Sequence, residues 1–247
     1  MIRGIYLLPN LFTMGNLFCG FFAMISAIKG DYGTAATAII VANVFDILDG
    51  KVARMMNATS RFGMEFDSLA DLVSFGVAPA LLIFQWSLSS FGRLGWLAAF
   101  LFVACGALRL ARYNVQAETS EKGTFTGLPI PAAASMAATT VLIADHLGAV
   151  GVERNILLLL LCYGLAFLMV SNVKYPAFKE SIFQGRAPFK ALVMVAVVFI
   201  VIAAEPQISL FILAVIYTFS GPVKSLLLLT GLLKKRTQGA DEERVVH

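Results

Sequence analysis

The chain is written as eight apolar runs separated by short polar turns, and this succession restricts the folds open to it more than any single motif does. The runs cover about residues 5–28, 34–49, 62–88, 96–112, 132–147, 156–173, 191–204 and 208–233. Several are long enough for a helix to cross a hydrocarbon layer of about 30 Å. In hydrocarbon a single segment can satisfy its own backbone only as a helix. Composition agrees, since 59% of the 247 residues are hydrophobic and 14% charged, and the mean hydropathy of +0.82 lies outside the soluble range. The prediction is an all-α, polytopic integral membrane protein of about eight transmembrane helices. Residues 1–233 form one membrane domain and 234–247 a charged cytosolic tail. Met1-Ile2-Arg3 could open a signal peptide, but the first run is too long for one and begins with Pro9-Asn10, so it reads as a membrane helix.

Charge sets the orientation. The net charge is +4, which could suggest nucleic acid, but the basic residues lie in the turns between apolar runs. With residue 1 inside and eight spans, sixteen of the nineteen Lys and Arg fall on inner segments, and only Lys29, Arg93 and Arg154 on outer ones. That is the positive-inside pattern of a cytoplasmic membrane protein with both termini cytosolic, and no nucleic-acid partner is needed to explain it. Cys19, Cys105 and Cys162 lie in apolar runs without metal-type spacing and read as buried thiols. His146 and His247 are the only histidines, which leaves little material for histidine chemistry.

Four aspartates interrupt the hydrocarbon. Asp46-Ile-Leu-Asp49-Gly50-Lys51-Val-Ala53-Arg54 ends the second run, and Gly63-Met-Glu-Phe-Asp67-Ser-Leu-Ala-Asp71 opens the third. Carboxylates at membrane depth are costly unless they face a wet cavity, pair with cations or hold a metal. On helices, residues three and four apart share a face, so each pair projects from one side of its helix and two facing helices bring four carboxylates to one point. Four such charges repel unless divalent cations neutralise them, and an all-oxygen donor set favours magnesium, manganese or calcium. A two-metal carboxylate site at the cytosolic edge is the reading. Gly50, Ala53 and Gly63 would let helices or a ligand press close to bare backbone, with Arg54 beside a phosphate. The competing reading is ordinary pairing of the aspartates with Lys51, Arg54 and Arg61 at a solvated helix end.

The pattern Asp-x2-Asp-Gly-x2-Ala-Arg-x8-Gly-x3-Asp-x3-Asp resembles the signature of the CDP-alcohol phosphatidyltransferases, and every position is filled. The resemblance implies a membrane enzyme that moves a phosphatidyl group from a CDP-linked lipid to an alcohol, releases CMP and uses two divalent metal ions. Carried over by position, Asp46, Asp49, Asp67 and Asp71 would hold the metals and Asp71 would act as base. Asn10, Thr13, Asp49, Gly50, Ala53, Arg54, Gly63 and Asp67 would bind the CDP-lipid. A homodimer is also implied.

The acceptor is narrowed by weaker segments. Tyr6-Leu-Leu-Pro9-Asn10-Leu-Phe-Thr13-Met-Gly15-Asn16 and Phe125-Thr-Gly127-Leu-Pro129-Ile-Pro131-Ala-Ala, with Arg112-Tyr113-Asn114 between them, resemble the phosphatidylserine synthase branch. This implies CDP-diacylglycerol and L-serine as substrates. Asn10 and Thr13 could equally bond local backbone at a helix start. Arg109 and Arg112 share a helical face near a C-terminus. There they could serve the helix dipole or, with Asn114, grip a serine carboxylate or lipid phosphate. Glycerol phosphate, inositol phosphate or choline are the alternative acceptors. A cation transporter is the alternative of another class, against which the carboxylates cluster at one edge rather than along a path.

Overall fold

The computed structural model describes residues 7–56, 60–116, 124–148, 155–176 and 204–245, with side chains through residue 227. Helices α1 (Leu7–Ile28) and α2 (Tyr32–Met55) form a hairpin. Its turn is closed by Gly30 at φ +80, a left-handed conformation that glycine adopts without strain. The Asp31 carboxylate accepts the Thr34 amide at 3.1 Å and caps α2. Helix α3 (Arg61–Asp71) is capped by Ser60, whose Oγ accepts the Gly63 amide at 3.0 Å. It continues without a break through a π-helical turn, Leu72–Val77, into α4 (Ala78–Trp86). Pro79 lies at the start of α4 and cannot donate to the turn before it, so the wider π turn relieves a conflict that a regular helix would meet there.

A 3-10 turn, Leu88–Phe91, leads to α5 (Arg93–Gln116). Then follow α6 (Ile130–His146), α7 (Ile156–Val170) and α8 (Pro206–Val245). Helix α8 carries Pro222 and runs past residue 233, so the charged tail opens as a continuation of helix. The all-α expectation needs one correction. Strand β1 (Thr124–Thr126), expected as loop, pairs antiparallel with β2 (Lys174–Pro176), Phe125 opposite Tyr175.

Among the described residues, four helices are long and apolar enough to cross a membrane: Leu8–Ile28, Arg61–Trp86, Arg93–Val115 and Pro206–Leu227. Ile156–Val170 is apolar but shorter. Helix α2 has the length, at 24 residues, but its last turns carry Asp46, Asp49, Lys51 and Arg54. The expected seventh run lies outside the described residues except for its last position, Ala204.

The interior is built on small side chains. Ala35, Ala36 and Ala42 of α2 and Ala133, Ala134, Ala137 and Ala138 of α6 have no exposed surface. Such faces let backbones approach closely where water supplies no drive for helix association. Gly20 of α1 has the same function toward the π turn, because a Cβ there would fall 2.6 Å from the Cα of Ser74.

One contact ties the strands to the last helix. Tyr175 of β2 is fully buried, and its ring covers Gly221, where a Cβ would fall 2.5 Å from it. Its hydroxyl donates to the Thr218 carbonyl at 3.1 Å. Thr218 stands four residues before Pro222, and a proline has no N–H for the carbonyl four residues back, so Tyr175 supplies the missing donor. Burial pushes the Tyr175 phenol up to about 12, so that donor proton stays in place at physiological pH. Tyr217 packs beside it, ring centroids 5.8 Å apart.

Candidate active site

The two aspartate pairs meet as their spacing predicts. Asp46 and Asp49 stand near the end of α2, and Asp67 and Asp71 on α3, while α1 packs against both helices. One carboxylate oxygen from each of Asp46, Asp49 and Asp67 lies within 4.8 Å of the others. Asp71 is one turn deeper, only 8% exposed, and within electrostatic reach of Asp46, Asp49 and Asp67. The pairing with Lys51, Arg54 or Arg61 that would have made the cluster an ordinary charged helix end is not formed among the described residues.

Helix α1 buttresses this cluster. Thr13 Oγ1 donates to Asp49 Oδ2 at 3.0 Å and also lies 3.2 Å from the Pro9 carbonyl. Asn16 Nδ2 donates to Asp71 Oδ1 at 3.0 Å. The two residues are three apart on one helical face, so α1 gives one hydrogen bond to each aspartate pair. Thr13, expected near the nucleotide, therefore reaches the site through Asp49. Asn16 closes the segment that resembles the phosphatidylserine synthase branch, but sequence reasoning gave it no role. Its signal was a second amide one turn after Thr13 on the same face of an apolar run.

The remaining residues divide into near and far. Gly63 faces Asn10 across the helix interface, a Cβ at Gly63 lying 3.5 Å from Asn10 Oδ1. Gly50 leaves room on α2, with only Arg54 Nη1 near the position of a Cβ, at 3.9 Å. Ala53 is half-buried and Arg54 exposed in the same last turns. Arg109 is 7% exposed, within electrostatic reach of Asp71 and Tyr217. Its Nε has no hydrogen-bond partner among the described residues. It stands about two turns before the end of α5 at Gln116, too far in for a helix-dipole role. Arg112 turns elsewhere and donates to Asn172 Oδ1 at 2.9 Å. Asn114 Nδ2 donates to Ser68 Oγ at 2.9 Å, joining α5 to α3. The shared face expected for the two arginines is thus not a shared partner.

The donor set fits hard divalent cations. The cluster offers only carboxylate oxygens, more of them than the surrounding donors can use, and Asp67 Oδ1 is buried without a hydrogen-bond partner among the described residues. Buried acceptors are ordinarily satisfied, and an unspent one among like charges is what a cation ligand looks like without its ion.

Known proteins supply the remaining link. The family model described as CDP-alcohol phosphatidyltransferase matches residues 6–170. A CDP-diacylglycerol–serine O-phosphatidyltransferase of Helicobacter pylori is 36% identical over 239 residues, covering 97% of this chain and 99% of the relative. One of Bacillus subtilis is 37% identical over 183 residues, covering 72% and 97%. An archaetidylserine synthase of Methanothermobacter thermautotrophicus is 36% identical over 171 residues, covering 68% and 69%. The matched stretch contains all four aspartates, the buttress on α1 and the buried arginine of α5, and the chain belongs to the CDP-alcohol phosphatidyltransferase family.

Proposed function

We infer that this protein transfers the phosphatidyl group of CDP-diacylglycerol to L-serine, giving phosphatidylserine and CMP. The observation that carries the reading is the convergence of three carboxylates from two helices, with Asp71 one turn deeper, in a chain that matches relatives named for serine over nearly its full length.

The chemistry divides among the residues as follows. Asp46, Asp49, Asp67 and Asp71 would hold two divalent cations, magnesium or manganese by donor type and calcium as the larger hard-cation alternative. Bound ions of this kind neutralise phosphate charge and polarise a phosphoryl oxygen. Thr13 keeps Asp49 turned toward the centre. Gly50 and Ala53 let a pyrophosphate lie along α2, with Arg54 beside it, while Asn10 and Gly63 line the nucleotide side. Asp71 takes the proton of the serine hydroxyl as the oxygen attacks the phosphorus bearing the lipid, and the bond between that phosphorus and the bridging oxygen breaks to release CMP. No histidine, cysteine or serine in the motif stands ready to form a phosphatidyl-enzyme, so one in-line displacement is the simpler course. Arg109 offers its unspent Nε to the serine carboxylate. Arg112 and Asn114 hold the end of α5 in register.

The fuller architecture belongs to the same proposal. Eight spans in the cytoplasmic membrane, both termini and the aspartates on the cytosolic side, and a homodimer accord with the basic residues of the inner turns and with the family. The test is purified protein in lipid micelles with CDP-diacylglycerol and, in turn, serine, glycerol phosphate, inositol phosphate or choline, with CMP release followed. Serine-dependent release that a chelator abolishes is expected. Release with another alcohol and none with serine would reassign the acceptor.

A further inference from the structure

We propose that Asn16 is a positioning residue for Asp71: its side-chain N–H fixes one carboxylate oxygen so that the other is presented to the acceptor hydroxyl. This rests on the reading of Asp71 as the proton acceptor. The geometry that points to it is local and specific. Asn16 has no exposed surface and gives its amide N–H to Asp71 Oδ1 at 3.0 Å. That bond holds Oδ1 from the α1 side. The Asn16 backbone is held in turn, because Ser74 Oγ donates to its carbonyl at 2.9 Å. Ser74 stands three residues after Asp71 in the π turn, and Gly20, one turn along α1, admits the Ser74 backbone where any larger residue would collide. The amide is therefore held between its own backbone anchor and the carboxylate it orients, and the widened turn after Asp71 is what carries Ser74 under α1.

A second observation separates this from packing. Asn16 Oδ1 is buried and has no hydrogen-bond partner among the described residues. Half of the amide is thus left unsatisfied, a cost that an apolar residue of the same size would avoid. The half that is satisfied serves Asp71 alone. Thr13 on the same face gives its bond to Asp49, so the two buttresses act on different carboxylates and can be separated by experiment.

The experiment measures kcat, KM for serine, KM for CDP-diacylglycerol and Mn2+ binding for the full-length protein and for Asn16→Leu, Asn16→Ser, Ser74→Ala, Asp71→Asn and Asn16→Leu/Asp71→Asn. Loss of a general base costs on the order of a hundredfold to ten-thousandfold, and loss of a partner that only orients it is expected to cost less, on the order of tenfold to a hundredfold. That loss is expected in kcat for Asn16→Leu, with both KM values and Mn2+ binding within about twofold. Ser74→Ala should give a smaller loss with the same split, and Asn16→Ser carries the test if the leucine variant does not fold. The double variant should be no slower than Asp71→Asn, because Asn16 acts only through that carboxylate. An unchanged kcat overturns the proposal, as does a kcat loss that follows loss of Mn2+. Additive losses in the double variant would mean that Asn16 acts independently of Asp71. Near-normal turnover of Asp71→Asn by itself would instead remove the reading on which the proposal rests.

Discussion

Helix α2 carries aspartates toward both of its ends, and the two ends differ in what surrounds them. Asp31 caps its start and Asp46 and Asp49 stand near its finish, so the two regions are on the order of 20 Å apart along the helix axis. At the start, Asp31 and Asp145 border an open groove of about 560 Å3, with Thr34, Thr37 and Gln207 on its walls. At the finish there is more unmet chemistry. Asp31 already accepts the Thr34 amide and Asp145 is exposed to solvent, so both carboxylates are satisfied by a helix end or by water. In the aspartate cluster Asp49 and Asp71 are buried, α1 supplies one donor to each, and Asp67 retains an unspent oxygen. Volume and acidity are therefore poor guides to the site. Carboxylates withdrawn from water without being satisfied mark it.

The comparison can be broken most decisively at Asp71. Asp71→Asn should retain fold and lower kcat on the order of a hundredfold to ten-thousandfold, as loss of a proton acceptor does, whereas Asp145→Asn in the groove should stay within about twofold of wild type. Equal effects in a CMP-release assay would erase the distinction between the two ends. Asp49→Ala is expected to act through cation affinity. Its turnover should fall on the order of tenfold to a hundredfold at low Mn2+ and recover in part as Mn2+ is raised, while Asp71→Asn should not recover. A deficit that ignores metal concentration would move Asp49 out of the ligand set.

Smaller effects sharpen the same contrast. Losing a charged hydrogen bond to a substrate carboxylate is worth roughly 1.5–3 kcal/mol, so Arg109→Ala should raise KM for serine on the order of tenfold to a hundredfold with KM for CDP-diacylglycerol little changed. Arg112→Ala, whose guanidinium is engaged by Asn172, should move neither by more than about threefold. A rise confined to the CDP-lipid would assign Arg109 to the donor. Smallest of all, Asp31→Ala should leave turnover alone and cost about 1 kcal/mol of stability, the usual loss of a helix N-cap. A thermal melt and an activity assay on one preparation decide that case.

The site was far more legible in the sequence than its surroundings. Asp46, Asp49, Asp67 and Asp71 could be brought together from spacing alone, because helical periodicity is rigid and charges in apolar runs need partners. Spacing could not separate Arg109 from Arg112. Both lie on one face, and only the position of α3 and of Asn172 decides which turns inward. Asn16 was hidden for a related reason, since its meaning depends on α1 crossing α3 at the turn after Asp71, a long-range contact. The π turn itself left only Pro79 as a trace, and the pairing of Phe125 with Tyr175 joins segments about fifty residues apart with three-residue strands too short to show alternation.

The proline in the last helix has a consequence for how that helix is held. A proline in a membrane helix usually makes a hinge, because it frees the carbonyl four residues earlier and the chain can flex about the missing bond. Here the Thr218 carbonyl accepts from Tyr175, whose ring is seated on Gly221, so the carbonyl that Pro222 leaves without its helical donor is satisfied from outside the helix. Contacts from it continue through β2 to β1, and Gly127, which follows β1, donates its amide to the Val173 carbonyl at 2.9 Å just before α6 begins. Residues beyond 206 lie outside the stretch matched by the family, yet they are joined by these contacts to the segments that flank its interior.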